Sequence, residues 1–256
     1  MSCKDVTNVT ICGRGNGAHT LAGLASVKND INVTVLDIYE DEQERWTQAL
    51  EQQGFTVHLP NGAEAQAPGN VKFTVTRDVS FAIEPADVVI LVCPAFAHKV
   101  YLELIVEHLN DDTLVVGFPG QAGFEYQCLY YLRKHGKKCS VMSLETLPWA
   151  CRINKYGHDV ALLGFKDEVL TSIIHKKPMT PNPIATLQKI IGNVPELKEA
   201  SNALEILLLA KGIAHPPIMY ATWKNWNGVE LDKPPLFYQG VGHCAADYLE
   251  AACMKL

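Results

Sequence analysis

A short β-prone run, Val6 to Cys12, stops at Gly13-Arg14-Gly15-Asn16-Gly17-Ala18, and a segment of helical character follows to Val27. A strand, a glycine turn and a helix in that order restrict the fold severely, because the helix must leave the strand's end and lie back over a sheet. Gly13, Gly15 and Ala18 occupy the small positions of the pattern G-x-G-x-x-A. The first permits a tight turn, the second lets backbone approach a pyrophosphate, and the third allows the helix to pack close to the strand. With Arg14, Asn16 and Gly17 they form a loop whose amides, at a helix N-terminus, favour an anion. Ala18 to Val27 is expected to carry its small residues on one side.

Asp37 adds an independent match. It closes a second apolar segment, Asn32 to Leu36, and lies 20 residues beyond Gly17, where an acid can bond the hydroxyls of an adenosine ribose. Its charge repels a 2′-phosphate, which favours NAD(H) over NADP(H). Arg14 argues the other way, since a guanidinium in the loop could pair with an extra phosphate. A plain βαβ turn with a solvated Asp37 is the alternative. The strand before the glycines and the helix after them favour dinucleotide binding, but that identifies a ligand and not a reaction.

Alternation continues along the chain. Asp41 to Gln53 reads as a surface helix with Trp46 and Leu50 on its inner face. Phe55–Val57 and Val71–Val75 read as two strands of an inserted hairpin. Asp87 to Val92 is an unbroken apolar run, expected of a strand covered on both faces. Helix, strand, helix and strand follow at 97–109, 114–117, 124–135 and 140–144, and 162–164 and 169–174 are expected to extend the sheet. Helices are expected at 184–191, 197–210 and 242–255, separated by stretches broken by proline. The fold class is α/β, a doubly wound, mostly parallel sheet.

Charge and composition exclude several functions. A net charge of −6, with 22 Lys and Arg spread along the chain, does not supply the concentrated basic surface that nucleic acid requires. No stretch reaches the roughly 18 uncharged apolar residues of a membrane span, so no membrane partner is expected. Eight cysteines without C-x-x-C spacing read as scattered reduced thiols, with no metal site, in a cytoplasmic protein.

The loops after the later strands are distinctive: Cys93-Pro-Ala-Phe-Ala-His98, Gly117-Phe-Pro-Gly-Gln-Ala-Gly123 and Leu144-Glu-Thr-Leu-Pro-Trp-Ala-Cys-Arg152. Together with GRGNGAHT, AHPPIMY at 214–220 and PPLFYQG at 234–240, they resemble the opine dehydrogenases, most closely the marine-invertebrate octopine dehydrogenase branch. The resemblance implies a Rossmann-type NAD(H)-binding domain followed by an all-helical one. It also implies an enzyme that condenses pyruvate with an amino acid and reduces the resulting imine with NADH. By the same resemblance, His215 is the catalytic histidine, a group suited to proton exchange near neutral pH. Gln121 and Thr146 contact the keto acid, Glu145 and Trp149 lie near the amino acid, and Cys151 lies at the cofactor.

The expected division is residues 1–200 for the dinucleotide-binding domain and 201–256 for the beginning of the helical domain. Phe237, Tyr238, Leu249 and Met254 are then expected to form an uncovered apolar face. The family's acidic partner for the histidine is not found in this sequence, so the 256-residue chain is expected to turn over roughly tenfold or more slowly than a full-length relative. Two other readings stay open, a non-catalytic dinucleotide-binding module and a 2-hydroxy-acid dehydrogenase. The amino-acid substrate and the oligomeric state are also open, members of that branch being often monomeric.

Overall fold

A computed structural model describes residues 7–66, 73–120, 123–174, 182–207, 214–233 and 235–254. The chain divides into two compact units, 1–208 and 209–256. The first begins with β1 (Thr7–Cys12), α1 (Asn16–Ser26), β2 (Ile31–Leu36) and α2 (Glu40–Gln53). Three short strands follow, β3 (Thr56–His58), β4 (Glu64–Gln66) and β5 (Phe73–Thr76), then α3 (Val79–Ile83). Next come β6 (Val88–Leu91), α4 (Ala95–Ile105), β7 (Leu114–Gly117), α5 (Phe124–Lys134) and β8 (Ser140–Leu144). The unit closes with β9 (Trp149–Lys155), β10 (Asp159–Phe165), β11 (Glu168–Ile174), α6 (Pro183–Ile191), β12 (Glu196–Glu199) and α7 (Ala203–Leu207).

The main sheet has the order β12-β11-β8-β7-β6-β1-β2-β5, and every neighbouring pair is parallel except β11 with β8. Strands β6, β7 and β8 are buried at every residue, which explains the unbroken apolar sequences of β6 and β7; β8 carries buried Ser140 and Ser143 among its apolar residues. Numbered by appearance in this sheet, β5-β2-β1-β6-β7-β8 is the 3-2-1-4-5-6 order of a doubly wound, Rossmann-type domain. The chain leaves β1 toward β2 on one side and later returns to β6 on the other. That reversal opens a crevice at the carboxyl ends of β1 and β6, where ligands of such sheets bind.

A second sheet, β4-β3-β10-β9, covers the outer side of α1. Nine of the eleven α1 residues are therefore buried. At Gly23, a Cβ would stand 2.4 Å from the Val57 side chain and 2.6 Å from Phe55. Two-sided packing leaves no room there for a larger group.

Several local expectations are corrected. Residues 55–57 and 73–75 do not form one hairpin: β3 pairs antiparallel with β4 in the second sheet, whereas β5 joins the main sheet beside β2, and 71–72 lie outside the described residues. Residues 162–164 belong to β10 and extend the second sheet, while 169–174 extends the main one as β11. The segment expected as a helix from 197 opens with β12, an edge strand of which only Leu197 is buried. Charged residues on three of its four positions suit an edge, because they discourage pairing with another chain.

The second unit contains α8 (His215–Trp223) and α9 (His243–Cys253). Pro216 and Pro217 lie in the first turn of α8, where a missing N–H costs nothing, so they start a helix instead of breaking one. Ile218 and Ala245 are the buried residues of the two helices, and the Tyr220 and Tyr248 rings meet edge to face with centroids 5.0 Å apart. Tyr238 and Met254 are exposed, and Phe237 and Leu249 are half-buried.

Candidate functional site

Gly13 has φ +143°, and a Cβ there would stand 2.3 Å from the Val92 carbonyl oxygen. Only glycine makes this turn between adjacent strand ends. Gly15 differs: it is exposed, has an ordinary φ of −83°, and a Cβ would meet no atom of the described residues within 4 Å. Nothing in the fold demands glycine at that position, so the open space in front of it is what a Cβ would fill. Gly17 is tight against Val92 and Leu147, and Ala18 is fully buried against the sheet. Among the described residues no side chain caps α1 and its first turn carries no acid, so its amino end favours an anion.

The Gly13 amide donates to the Leu36 carbonyl at 3.3 Å, so the turn and Asp37 leave the sheet side by side. Asp37 is fully buried. Its Oδ1 accepts from the Tyr39 amide at 3.1 Å, and its Oδ2 has no partner among the described residues. Burial pushes this carboxyl above its ordinary range, against the pull of the Tyr39 amide and Arg14 and with reinforcement from Glu42. A buried carboxylate oxygen without a donor is costly unless a ligand supplies one, and ribose hydroxyls can do so. Arg14 forms an ion pair with Glu42 of α2, and its guanidinium carbon sits 3.8 Å from the centre of the Tyr39 ring.

His19 braces the loop from behind. Its Nδ1 lies 3.2 Å from the Gly15 carbonyl, and its Nε2 accepts from the Gly157 amide at 3.1 Å. These partners define one neutral tautomer, with Nδ1–H donating to Gly15. Burial drives the imidazole down to about 3, so the ring stays uncharged. Asn16 is also tied to the second sheet, its Oδ1 accepting from the Ile153 amide at 2.8 Å. Cys151, on the same strand, is half-buried, and burial raises its thiol while the neighbouring Thr20 hydroxyl opposes the rise. The glycine loop is thus held between two sheets.

The loops after β7 and β8 meet at the same end of the main sheet. Gly120 donates its amide to the Leu144 carbonyl at 3.0 Å, and a Cβ on it would collide with the Ser143 hydroxyl. Gln121 lies outside the described residues. Glu145 is half-buried and extends the β8–β11 ladder: its amide donates to the Leu170 carbonyl, and its Oε1 accepts from the Leu170 amide, both at 3.1 Å. Thr146 is half-buried beside it. Trp149 is buried in the core against Phe118, with its indole nitrogen unpartnered among the described residues. Cys12, Leu36, Leu91 and Gly117 are in register across the sheet, so these loops emerge at the edge that carries the glycine turn and Asp37.

His215 belongs to the second unit. It opens α8, is exposed, and its Nε2 lies 2.8 Å from the Tyr238 hydroxyl. Although Pro216 and Pro217 follow it, His215 stands at a helix start and not in a proline-broken loop. Two further residues beside Arg14, Glu42 and Tyr39, carry no signal in the sequence, and His19, which opens the first helix, reads there as a residue that orients the loop and not as a site residue. Glu42 and Tyr39 meet Arg14 only through tertiary packing, and the one available signal for His19 was a histidine inside a helix of small residues.

Among the described residues, no group of three or more His, Cys, Asp or Glu could hold a metal ion, and no helix is long and apolar enough to cross a membrane. No family model matches the chain. It is 43% identical over 245 residues to octopine dehydrogenase of Mizuhopecten yessoensis, covering 95% of this chain and 61% of that protein. It is 42% identical over 253 residues to opine dehydrogenase of Haliotis discus hannai, covering 96% and 62%. A solved structure of octopine dehydrogenase with NADH and pyruvate superposes with a TM-score of 0.77 at 41% identity, covering 94% of this chain and 62% of that one. The chain spans about three-fifths of the length of the curated relatives it matches. Over that span, it is a homologue of the octopine and opine dehydrogenases.

Proposed function

We propose that the chain binds NAD(H) and serves the reductive condensation of pyruvate with an amino acid. The amino group adds to the keto carbon, water leaves, and the imine that results is reduced to a secondary amine. The reduced nicotinamide, when bound, supplies the hydride. The observation that carries the reading is a pair of complementary features at one sheet edge: open space in front of Gly15, and the buried Oδ2 of Asp37, which has no partner among the described residues. The first accepts a pyrophosphate beside the amides of α1, and the second accepts ribose hydroxyls. Gly13, Gly17 and Ala18 shape the turn, Arg14 and Asn16 flank it, and Cys151 borders it on the second sheet.

Gln121 and Thr146 would hold the keto acid. The Glu145 carboxylate and Trp149 would border the amino acid, a carboxylate there suiting a cationic group. His215 would orient the carbonyl and move the proton at the reacting carbon, because a neutral imidazole both accepts and donates near pH 7. Similarity to enzymes named octopine and opine dehydrogenase, and to a structure described with NADH and pyruvate, supports this chemistry over a 2-hydroxy-acid dehydrogenase. The placement of 201–256 as part of a helical substrate domain belongs to the same proposal, as does a cytoplasmic location.

The test is a screen of amines with pyruvate and NADH. Oxidation of NADH that requires both pyruvate and an amine, with a secondary amine as product, is the expected outcome. NADH oxidation by pyruvate alone, yielding lactate, would replace this reading with the 2-hydroxy-acid one.

A further inference from the structure

We propose that Glu42 is a determinant of cofactor selectivity, acting by keeping the Arg14 guanidinium from a 2′-phosphate. The inference rests on the dinucleotide reading above and adds to it a residue that lies outside the glycine and Asp37 motifs. Around the end of β2, the side chains form one linked series. Asp37 accepts from the amide of Tyr39, the Tyr39 ring faces the guanidinium of Arg14, and Arg14 pairs with Glu42. In this series the Arg14 guanidinium is paired with Glu42, and the Asp37 carboxylate stands at its other end.

Arginine is the side chain best suited to a phosphomonoester, because its planar fork donates two parallel hydrogen bonds to phosphate oxygens. A guanidinium in the glycine loop would therefore favour a 2′-phosphorylated ribose if it were free to reach one. Here a second carboxylate satisfies it. Glu42 thus acts against the 2′-phosphate twice, by occupying the donor and by adding a like charge to that of Asp37. The Arg14 and Glu42 side chains are each 36% exposed, so the pair is weakly held and can exchange partners once the glutamate's charge is gone.

The experiment compares NADH and NADPH binding to the 256-residue chain by calorimetry at fixed low salt, for the wild type, Glu42→Gln, and the double variant Glu42→Gln with Arg14→Gln. The wild type is expected to bind NADH and to prefer it over NADPH by about a hundredfold, the size of a lost charge pairing. Glu42→Gln is expected to tighten NADPH binding about tenfold or more, with NADH changed by less than about threefold. The double variant is expected to lose that gain. Unchanged NADPH affinity in Glu42→Gln overturns the inference while leaving the dinucleotide reading intact, as does a gain that survives removal of Arg14. A wild type that binds neither nucleotide overturns both.

Discussion

The imidazole of His19 lies flat on the indole of Trp46, with ring centroids 3.6 Å apart and planes 8° from parallel. The same ring joins the Gly15 carbonyl to the Gly157 amide, so a neutral histidine couples the ligand loop to the second sheet. Its orientation is fixed on every side: Trp46 beneath, Tyr156 tilted across it at 4.8 Å, and hydrogen bonds at both nitrogens. Removing the ring by His19→Ala should cost about 3 kcal/mol, from the cavity and from the Gly157 amide left without its acceptor. Urea unfolding at pH 7 measures this directly.

His19 also makes stability depend on pH. Its folded value of about 3 lies below the ordinary 6.5, so the unfolded chain binds a proton that the folded chain refuses. Its contribution is complete above pH 6.5 and is lost as pH falls from there toward 3, with a slope of up to about 1.4 kcal/mol per pH unit. Between pH 7 and 5, the wild type should lose more stability than His19→Gln, which has no such proton to take up. Parallel losses in the two proteins would remove His19 from the account.

Two glycines two residues apart should behave differently. Gly13→Ala places a Cβ against the Val92 carbonyl at a positive φ, and should cost about 1–3 kcal/mol of stability. Gly15→Ala meets no protein atom, so its melting temperature should stay close to that of the wild type. Its effect should fall on the ligand instead, weakening NADH about tenfold or more where the new methyl meets the pyrophosphate. Thermal melts and titrations of both variants separate the two roles.

Asp37→Asn should split binding from stability in a similar way. The variant loses a charged acceptor, so NADH binding should weaken by about 10- to 100-fold. Its fold should be as stable as the wild type or slightly more so near neutral pH, because burial already disfavours the charged carboxylate. A parallel drop in stability and affinity would make Asp37 a structural residue only.

Much of this was legible in the sequence for identifiable reasons. The central strands are buried on both faces, so 88–91 and 114–117 announce themselves as apolar runs, and 140–144 does so less plainly because Ser140 and Ser143 interrupt it. The glycine turn is legible because Gly13 makes a turn at positive φ that only glycine accommodates, directly after an apolar strand. The second sheet was harder. In Trp149–Lys155, buried or half-buried Trp149, Cys151 and Ile153 alternate with exposed residues, and the charges of Arg152 and Lys155 hide a strand covered on one side. In β12, pairing with β11 holds a strand that contributes one buried side chain, too little for periodicity to reveal. The Asp37–Tyr39–Arg14–Glu42 series depends on contacts 28 residues apart, which no local pattern encodes.

The most direct test of the dinucleotide cradle is a fluorescence titration of the 256-residue chain with NADH, in competition with ADP-ribose. The account predicts saturable 1:1 binding, displacement by ADP-ribose, and weakening of about tenfold or more in both Gly15→Ala and Asp37→Asn. NADH binding that ADP-ribose does not displace, or that neither substitution weakens, would contradict it.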